Sequence, residues 1–247
     1  MTETATPPVV AAEIARTISA LDVEALRAHY QAQDEFLVLP GALPPAVIEP
    51  LVTDVDRVRP AIHRNYVPRH KKGGSVSYYT LREDAPAIMA LYTSPAFHRF
   101  METLTGRSLL RCPESDPHSC ALYFYTEPGD HIGFHYDTSY YRGTRFTVLL
   151  GLVERSSSRL VCELYTRARG KEPVALRLTT DPGTLVIFNG DRLRHAITPL
   201  GDDEERVSLT MEFVTDQSMS PGKRFVSNMK DAIAYFGFRS VFGSPRP

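Results

Sequence analysis

Tryptophan is absent from the 247 residues, cysteine occurs only three times, and no stretch approaches the ~18 consecutive apolar residues that cross a bilayer as a helix. Cys112, Cys120 and Cys162 are odd in number and lack C-x-x-C spacing, which argues against a disulfide framework and a cysteine-rich zinc site. They read as small buried apolar side chains. An excess of either charge is also missing: 28 Lys and Arg face 29 Asp and Glu, for a net charge of −1. Neither nucleic acid nor an anionic membrane is favoured as a partner. The first thirty residues scatter Glu3, Glu13, Asp22 and Glu24 among short apolar stretches, unlike the basic-then-apolar order of a secretory signal. A cytoplasmic location is expected. What is present is an ordinary globular composition, 43% hydrophobic and 23% charged, in a chain long enough for a sizeable core.

The chain reads as one domain, 1–247, mainly β with flanking helices. Residues 1–108 form a mainly helical support with a few strands, 109–216 a β core, and 217–247 a helix and tail. Helical periodicity covers 9–21 and 23–33, with Asp22 as N-cap of the second, and resumes over 44–63 with Pro45 suitably early. Residues 70–74 (HKKGG) read as a basic loop, 75–81 as a strand, and 85–106 as two helical pieces split near Ser94-Pro95. Eight β-rich runs follow: 119–125, 132–138, 145–154, 159–166, 174–178, 184–189, 195–199 and 206–215. Turn residues such as Pro128-Gly129-Asp130 and Asn189-Gly190-Asp191 separate them. Eight runs predict a sandwich or barrel.

The chemistry concentrates in Gly133-Phe134-His135-Tyr136-Asp137-Thr138. On a strand, residues i and i+2 share a face, so His135 and Asp137 point one way and Phe134 and Tyr136 the other. One imidazole nitrogen and one carboxylate make two-thirds of a 2-His-1-carboxylate facial triad, which holds Fe(II) and leaves other positions open. His195 is the candidate for the third ligand, because the other histidines lie in helical, loop or turn contexts. The run 205–213 then alternates: Val207, Leu209, Met211 and Phe213 against Arg206, Ser208, Thr210 and Glu212. Such a polar face commonly meets water. Inside a barrel it would instead offer the Arg206 fork and the Ser208 hydroxyl to a dicarboxylate.

In combination, His135-x-Asp137, His195 and Arg206-x-Ser208 resemble the Fe(II)/2-oxoglutarate-dependent oxygenases over about residues 119–215. The resemblance implies a double-stranded β-helix, the jelly-roll or cupin-like core, with iron held by His135, Asp137 and His195. It further implies that Arg206 and Ser208 hold the remote carboxylate of 2-oxoglutarate, that its keto-acid end chelates the metal, and that O2 takes the remaining position. A tyrosine on the preceding strand often assists. The run Tyr125…Pro128-Gly129…His135-x-Asp137 resembles Y-x-P-G-x5-H-x-D with one extra residue, which leaves both Tyr123 and Tyr125 open, Tyr125 ranked first. The implied outcome is release of succinate and carbon dioxide with oxidation, by default hydroxylation, of an unactivated C–H. Related halogenases carry a small residue in the carboxylate slot, so Asp137 disfavours halogenation.

Loops at the mouth usually carry specificity. Ser139-Tyr140-Tyr141-Arg142 and residues 70–79 (HKKGGSVSYY) are expected to form pocket or lid segments for a small, amino-acid-like or specialised-metabolite substrate, with Arg224 a weaker candidate. Asn189 and Arg194 flank the distal histidine, with surface roles favoured over site roles. Three other readings compete. A nucleic-acid demethylase is supported only by Lys71-Lys72 and opposed by the near-neutral charge. A peptidyl hydroxylase would act on protein side chains, and a cupin-like binding protein would hold zinc or nothing at the same three residues. Residues 9–33 either buttress the sheet or pair two copies as a homodimer, and buttressing is the favoured reading.

Overall fold

The computed structural model describes residues 7–137 and 141–219. Two helices open the chain, α1 (Pro7–Ser19) and α2 (Val23–Ala32), and Asp22 caps the second by accepting from the Ala25 amide at 3.1 Å. Next come β1 (Phe36–Leu39), α3 (Pro45–Val58), a 3-10 turn (Arg59–Ala61), β2 (His63–Val67) and β3 (Lys71–Val76). Three short helices follow: α4 (Tyr78–Asp84), α5 (Pro86–Tyr92) and α6 (Pro95–Thr105). Asp54, buried on α3, accepts from the amides of Ala87 at 2.7 Å and Ile88 at 3.0 Å, so one helix satisfies the open N-terminus of another.

The remaining elements are strands: β4 (Leu110–Arg111), β5 (Cys120–Tyr125), β6 (His131–His135), β7 (Arg145–Arg155), β8 (Leu160–Leu164), β9 (Val174–Leu178), β10 (Leu185–Asn189), β11 (Arg194–Ile197) and β12 (Glu205–Val214). Each of the eight β-rich runs overlaps one of them. One antiparallel sheet follows the order β1-β10-β7-β12-β5-β3-β6-β11-β8-β9, with β2 added to β3 and β4 to β12. β3 joins the two halves. Its residues 74–76 pair with β5, while Lys71 and Lys72 pair with β6.

The helices pack on one face of the sheet, where Ile14, Leu51, Leu91 and Leu104 meet Leu150, Leu209 and Phe213. Each such Leu or Ile contributes about 1.5–3 kcal/mol through burial. A second cluster, including Leu160, Cys162, Phe188 and Ile197, fills the inside of the curl. Period-two alternation sends the side chains of β12 to both sides: Val207, Leu209, Met211 and Phe213 join the helix-facing core, while Arg206, Ser208, Thr210 and Glu212 are buried toward the interior.

Two expectations need correction. The helix read over 44–63 stops at Val58, because Pro60 has no amide to continue the ladder, and residues 63–67 become a strand. The segment read as a basic loop and then a strand is a strand from Lys71 and a helix from Tyr78. Its glycines are needed for close packing: a Cβ on Gly74 would lie 2.5 Å from Ile62 Cγ2. No helix among the described residues is long and apolar enough to cross a membrane. Residues 1–6, Ser139 and Tyr140, and the C-terminal helix expected from Pro221 with Arg224 lie outside the described residues.

Candidate functional site

β6 and β11 run antiparallel with His195 directly opposite His135, and their rings meet with centroids 4.3 Å apart. Asp137, two residues beyond His135, follows the end of β6. Its Oδ1 lies 3.4 Å from His135 Nε2 and its Oδ2 lies 3.8 Å from His195 Nε2. One ligand atom from each of the three residues falls within 4.8 Å of the others, a cluster that can hold a metal ion. Phe134 and Tyr136 turn outward as alternation requires, Phe134 under the Arg194 guanidinium and Tyr136 donating to Thr166 Oγ1. His135 Nδ1 is hydrogen-bonded to the Gly133 carbonyl at 2.9 Å, which leaves Nε2 as the available donor atom.

The electrostatics match the needs of a cation. Burial pushes His195 down to about 4, so it stays neutral with a lone pair. Burial opposes the charge on Asp137, yet His195, His135 and Arg145 together hold its carboxyl well below the usual range. His135 differs: burial opposes its charge, but contact with the Asp137 carboxylate raises it above the ordinary imidazole value, so a bound cation would take the place of its Nε2 proton.

The same cavity, about 240 Å³, reaches Arg206 and Ser208. Across the β12–β5 ladder Arg206 faces Tyr125 and Ser208 faces Tyr123, and both tyrosines line the cavity. The Arg206 side chain is 1% exposed. Glu154 Oε2 lies 3.0 Å from its Nη1 but out of line for a hydrogen bond, so Nη1 and Nε both lack an acceptor among the described residues. Buried polar atoms are nearly always paired, so this cation is set up for a further anionic acceptor. Burial raises the Tyr125 hydroxyl to about 12 against the pull of Arg206, which keeps it a neutral donor.

Further residues line the cavity beside the triad and Arg206. Lys71 projects beside Asp137 with Nζ 4.8 Å from the centre of the Tyr123 ring, and burial brings its ammonium down to about 8. His118, set aside with the loop histidines, and Arg145 also line the wall. Thr210 and Glu212 do so too, and the alternation of β12 had already placed them with Arg206. Other candidates lie elsewhere. Asn189 hydrogen-bonds to the Glu35 carboxylate and Arg194 pairs with Glu163, both away from the cavity. Of the two tyrosine-rich segments expected at the mouth, Tyr141 packs with Cys112 and Val214 and donates to Asp116 at 2.7 Å, and Tyr79 donates to the Ser115 carbonyl. Only Lys71 of residues 70–79 lines the cavity.

Solved structures share this arrangement of strands. The chain is similar to a prolyl hydroxylase from Trichoplax adhaerens in complex with a hypoxia inducible factor peptide fragment, with a TM-score of 0.65 at 13% identity over 86% of this chain and 94% of that one. It is similar to the epimerase SnoN in complex with Fe3+, alpha ketoglutarate and nogalamycin RO, with a TM-score of 0.63 at 16% identity over 78% and 83%. A Pseudomonas putida prolyl-4-hydroxylase gives a TM-score of 0.59 at 16% identity over 78% and 98%. The fold is the jelly roll of the 2OG-Fe(II) oxygenases. A comparison with curated proteins gives no match. The family model HalD, described as Halogenase D, matches residues 18–143, just over half of the chain, a span that contains His135 and Asp137. The chain belongs to the Halogenase D family.

Proposed function

We propose that the protein is an Fe(II)- and 2-oxoglutarate-dependent dioxygenase that hydroxylates an unactivated C–H of a small, amino-acid-like or specialised-metabolite substrate. The observation that carries this reading is one cavity joining a His-Asp-His cluster to a buried arginine whose donors are unpaired among the described residues. Two imidazole nitrogens and a carboxylate suit ferrous iron on one face, and the open donors of Arg206 suit a carboxylate. Bound iron and 2-oxoglutarate would supply dioxygen activation and the oxidation of a C–H bond, with release of succinate and CO2.

The chain's own task is holding and excluding. Arg206 and Ser208 would hold the remote carboxylate of 2-oxoglutarate, with Tyr125 on the facing strand as a further donor and Tyr123 beside Ser208. Ile132, Leu149 and Ile197 put apolar surface along the cavity and limit water. We read the chain as one domain, since β1, β2 and β3 come from the first hundred residues yet belong to the sheet that carries the site. The three buried unpaired thiols suit a reducing compartment, in keeping with the cytoplasm.

Halogenation is the second reading, favoured by the family's description. Against it, Asp137 would supply a carboxylate at the position that a halide would need, since its oxygens lie within the His-Asp-His cluster. A half-open cavity of about 240 Å³ suits a small molecule better than a peptide or a nucleotide strand. The test is a substrate screen reading succinate release with Fe(II), 2-oxoglutarate and chloride present. Products gaining oxygen are expected, and Asp137→Ala and His195→Ala, verified as folded, should lose activity at least 100-fold. Full activity in those variants would remove the triad, and chlorinated products from the wild-type protein would overturn hydroxylation.

A further inference from the structure

Behind Asp137 the interior holds two more polar side chains that the proposed chemistry does not use. Thr147 on β7 and Glu212 on β12 are registered partners across the ladder, and both are buried, at 0% and 4% exposure. Thr147 Oγ1 lies 3.1 Å from Asp137 Oδ2 and 3.0 Å from Glu212 Oε2. A hydroxyl has one proton to give. Between two ionised carboxylates it would leave one oxygen facing a lone pair, so one of the two acids must bring a proton of its own.

Glu212 is the one that does. Burial raises its carboxyl well above the usual range, and nearby Arg145, whose Nε lies 3.7 Å from Oε2 but makes no hydrogen bond among the described residues, does not reverse this. Protonated Glu212 donates to Thr147, and Thr147 donates to Asp137. The far end of the chain is fixed through its backbone: the Glu212 amide donates to the Ser119 carbonyl at 2.9 Å, and the Glu212 carbonyl accepts from the Tyr92 hydroxyl at 3.2 Å.

We propose that Thr147 and Glu212 are positioning residues, a hydrogen-bonded relay from β12 through β7 that fixes the Asp137 carboxylate for metal binding. The proposal rests on the reading of His135, Asp137 and His195 as metal ligands. Partners of this kind commonly change metal affinity by 10–100-fold when removed.

The test uses the full chain and Co(II) as the probe, titrated anaerobically by its visible absorption, with thermal melting to verify folding. Thr147→Val, nearly isosteric, should weaken Co(II) binding about 10-fold and shift the visible bands. Thr147→Ser should restore affinity to within about threefold of wild type. Glu212→Leu should resemble Thr147→Val, whereas Glu212→Gln, whose amide can still donate, should stay near wild type. The double variant Thr147→Val with Glu212→Leu should bind no worse than Thr147→Val alone, as members of one relay do. Wild-type affinity and spectrum in Thr147→Val would overturn the relay, as would a double variant whose loss equals the product of the single losses. Asp137→Ala separates the two levels. If it abolishes Co(II) binding while Thr147→Val changes nothing, only the relay fails; if it binds as wild type does, the ligand assignment itself is wrong.

Discussion

A guanidinium taken out of water needs acceptors for its donors, and among the described residues Arg206 lacks them at two of its nitrogens. Glu154 balances its charge without satisfying its geometry, and the remaining donors belong to the cavity. Charge-assisted hydrogen bonds of this kind contribute about 1.5–3 kcal/mol each. Arg206→Ala should therefore raise the KM for 2-oxoglutarate by about 100-fold, with iron affinity nearly unchanged; an unaltered KM, measured by succinate formation at saturating substrate, would remove Arg206 from the site. At this scale the sequence was readable where period and chemistry coincide. His135 and Asp137 are two apart where β6 ends, and Arg206 and Ser208 are two apart on β12. Lys71 fell within the 70–79 segment expected at the mouth, whereas His118 and Arg145 escaped notice because no local pattern aims them; their direction is set by which strands become neighbours.

Element scale explains how the carboxylate and the distal histidine come together. The turn after β10 passes so close behind Asp137 that a Cβ on Gly190 would lie 2.4 Å from the Asp137 carbonyl oxygen and 3.0 Å from its Cβ. The Gly190 amide also donates to the Arg145 carbonyl at 2.9 Å, which ties this turn to the start of β7. Gly190→Ala should push Asp137 aside, leaving a folded protein whose Fe(II) affinity falls at least 10-fold; equal affinity in a binding titration would show that the close approach does not matter. The Asn189-Gly190-Asp191 sequence advertised a turn but not its neighbour. Likewise the clean alternation of β12 announced a strand, whereas β3 was concealed by paired glycines that usually mark a break and here allow the strand to pass Ile62.

For the whole molecule, eight β-rich runs separated by turn residues were enough to announce a sandwich or barrel, even where a strand such as β10 is buried throughout and shows no alternation. Strand order was not legible. Nothing local states that β3 joins the two halves, or that β12 turns its polar side inward to a cavity rather than outward to water. That choice follows from the helices, which cover the opposite face with Ile14, Leu51, Leu91 and Leu104 and leave the polar side chains only the interior. The family description names a halogenase, while the chain keeps a carboxylate among its candidate ligands. The most direct measurement is a crystal structure of the protein soaked anaerobically with Fe(II) and 2-oxoglutarate. The account predicts one iron bound by His135, Asp137 and His195, with the remote carboxylate of the diacid on Arg206 and Ser208. Iron bound elsewhere, or a diacid lying away from the Arg206 guanidinium, would contradict it.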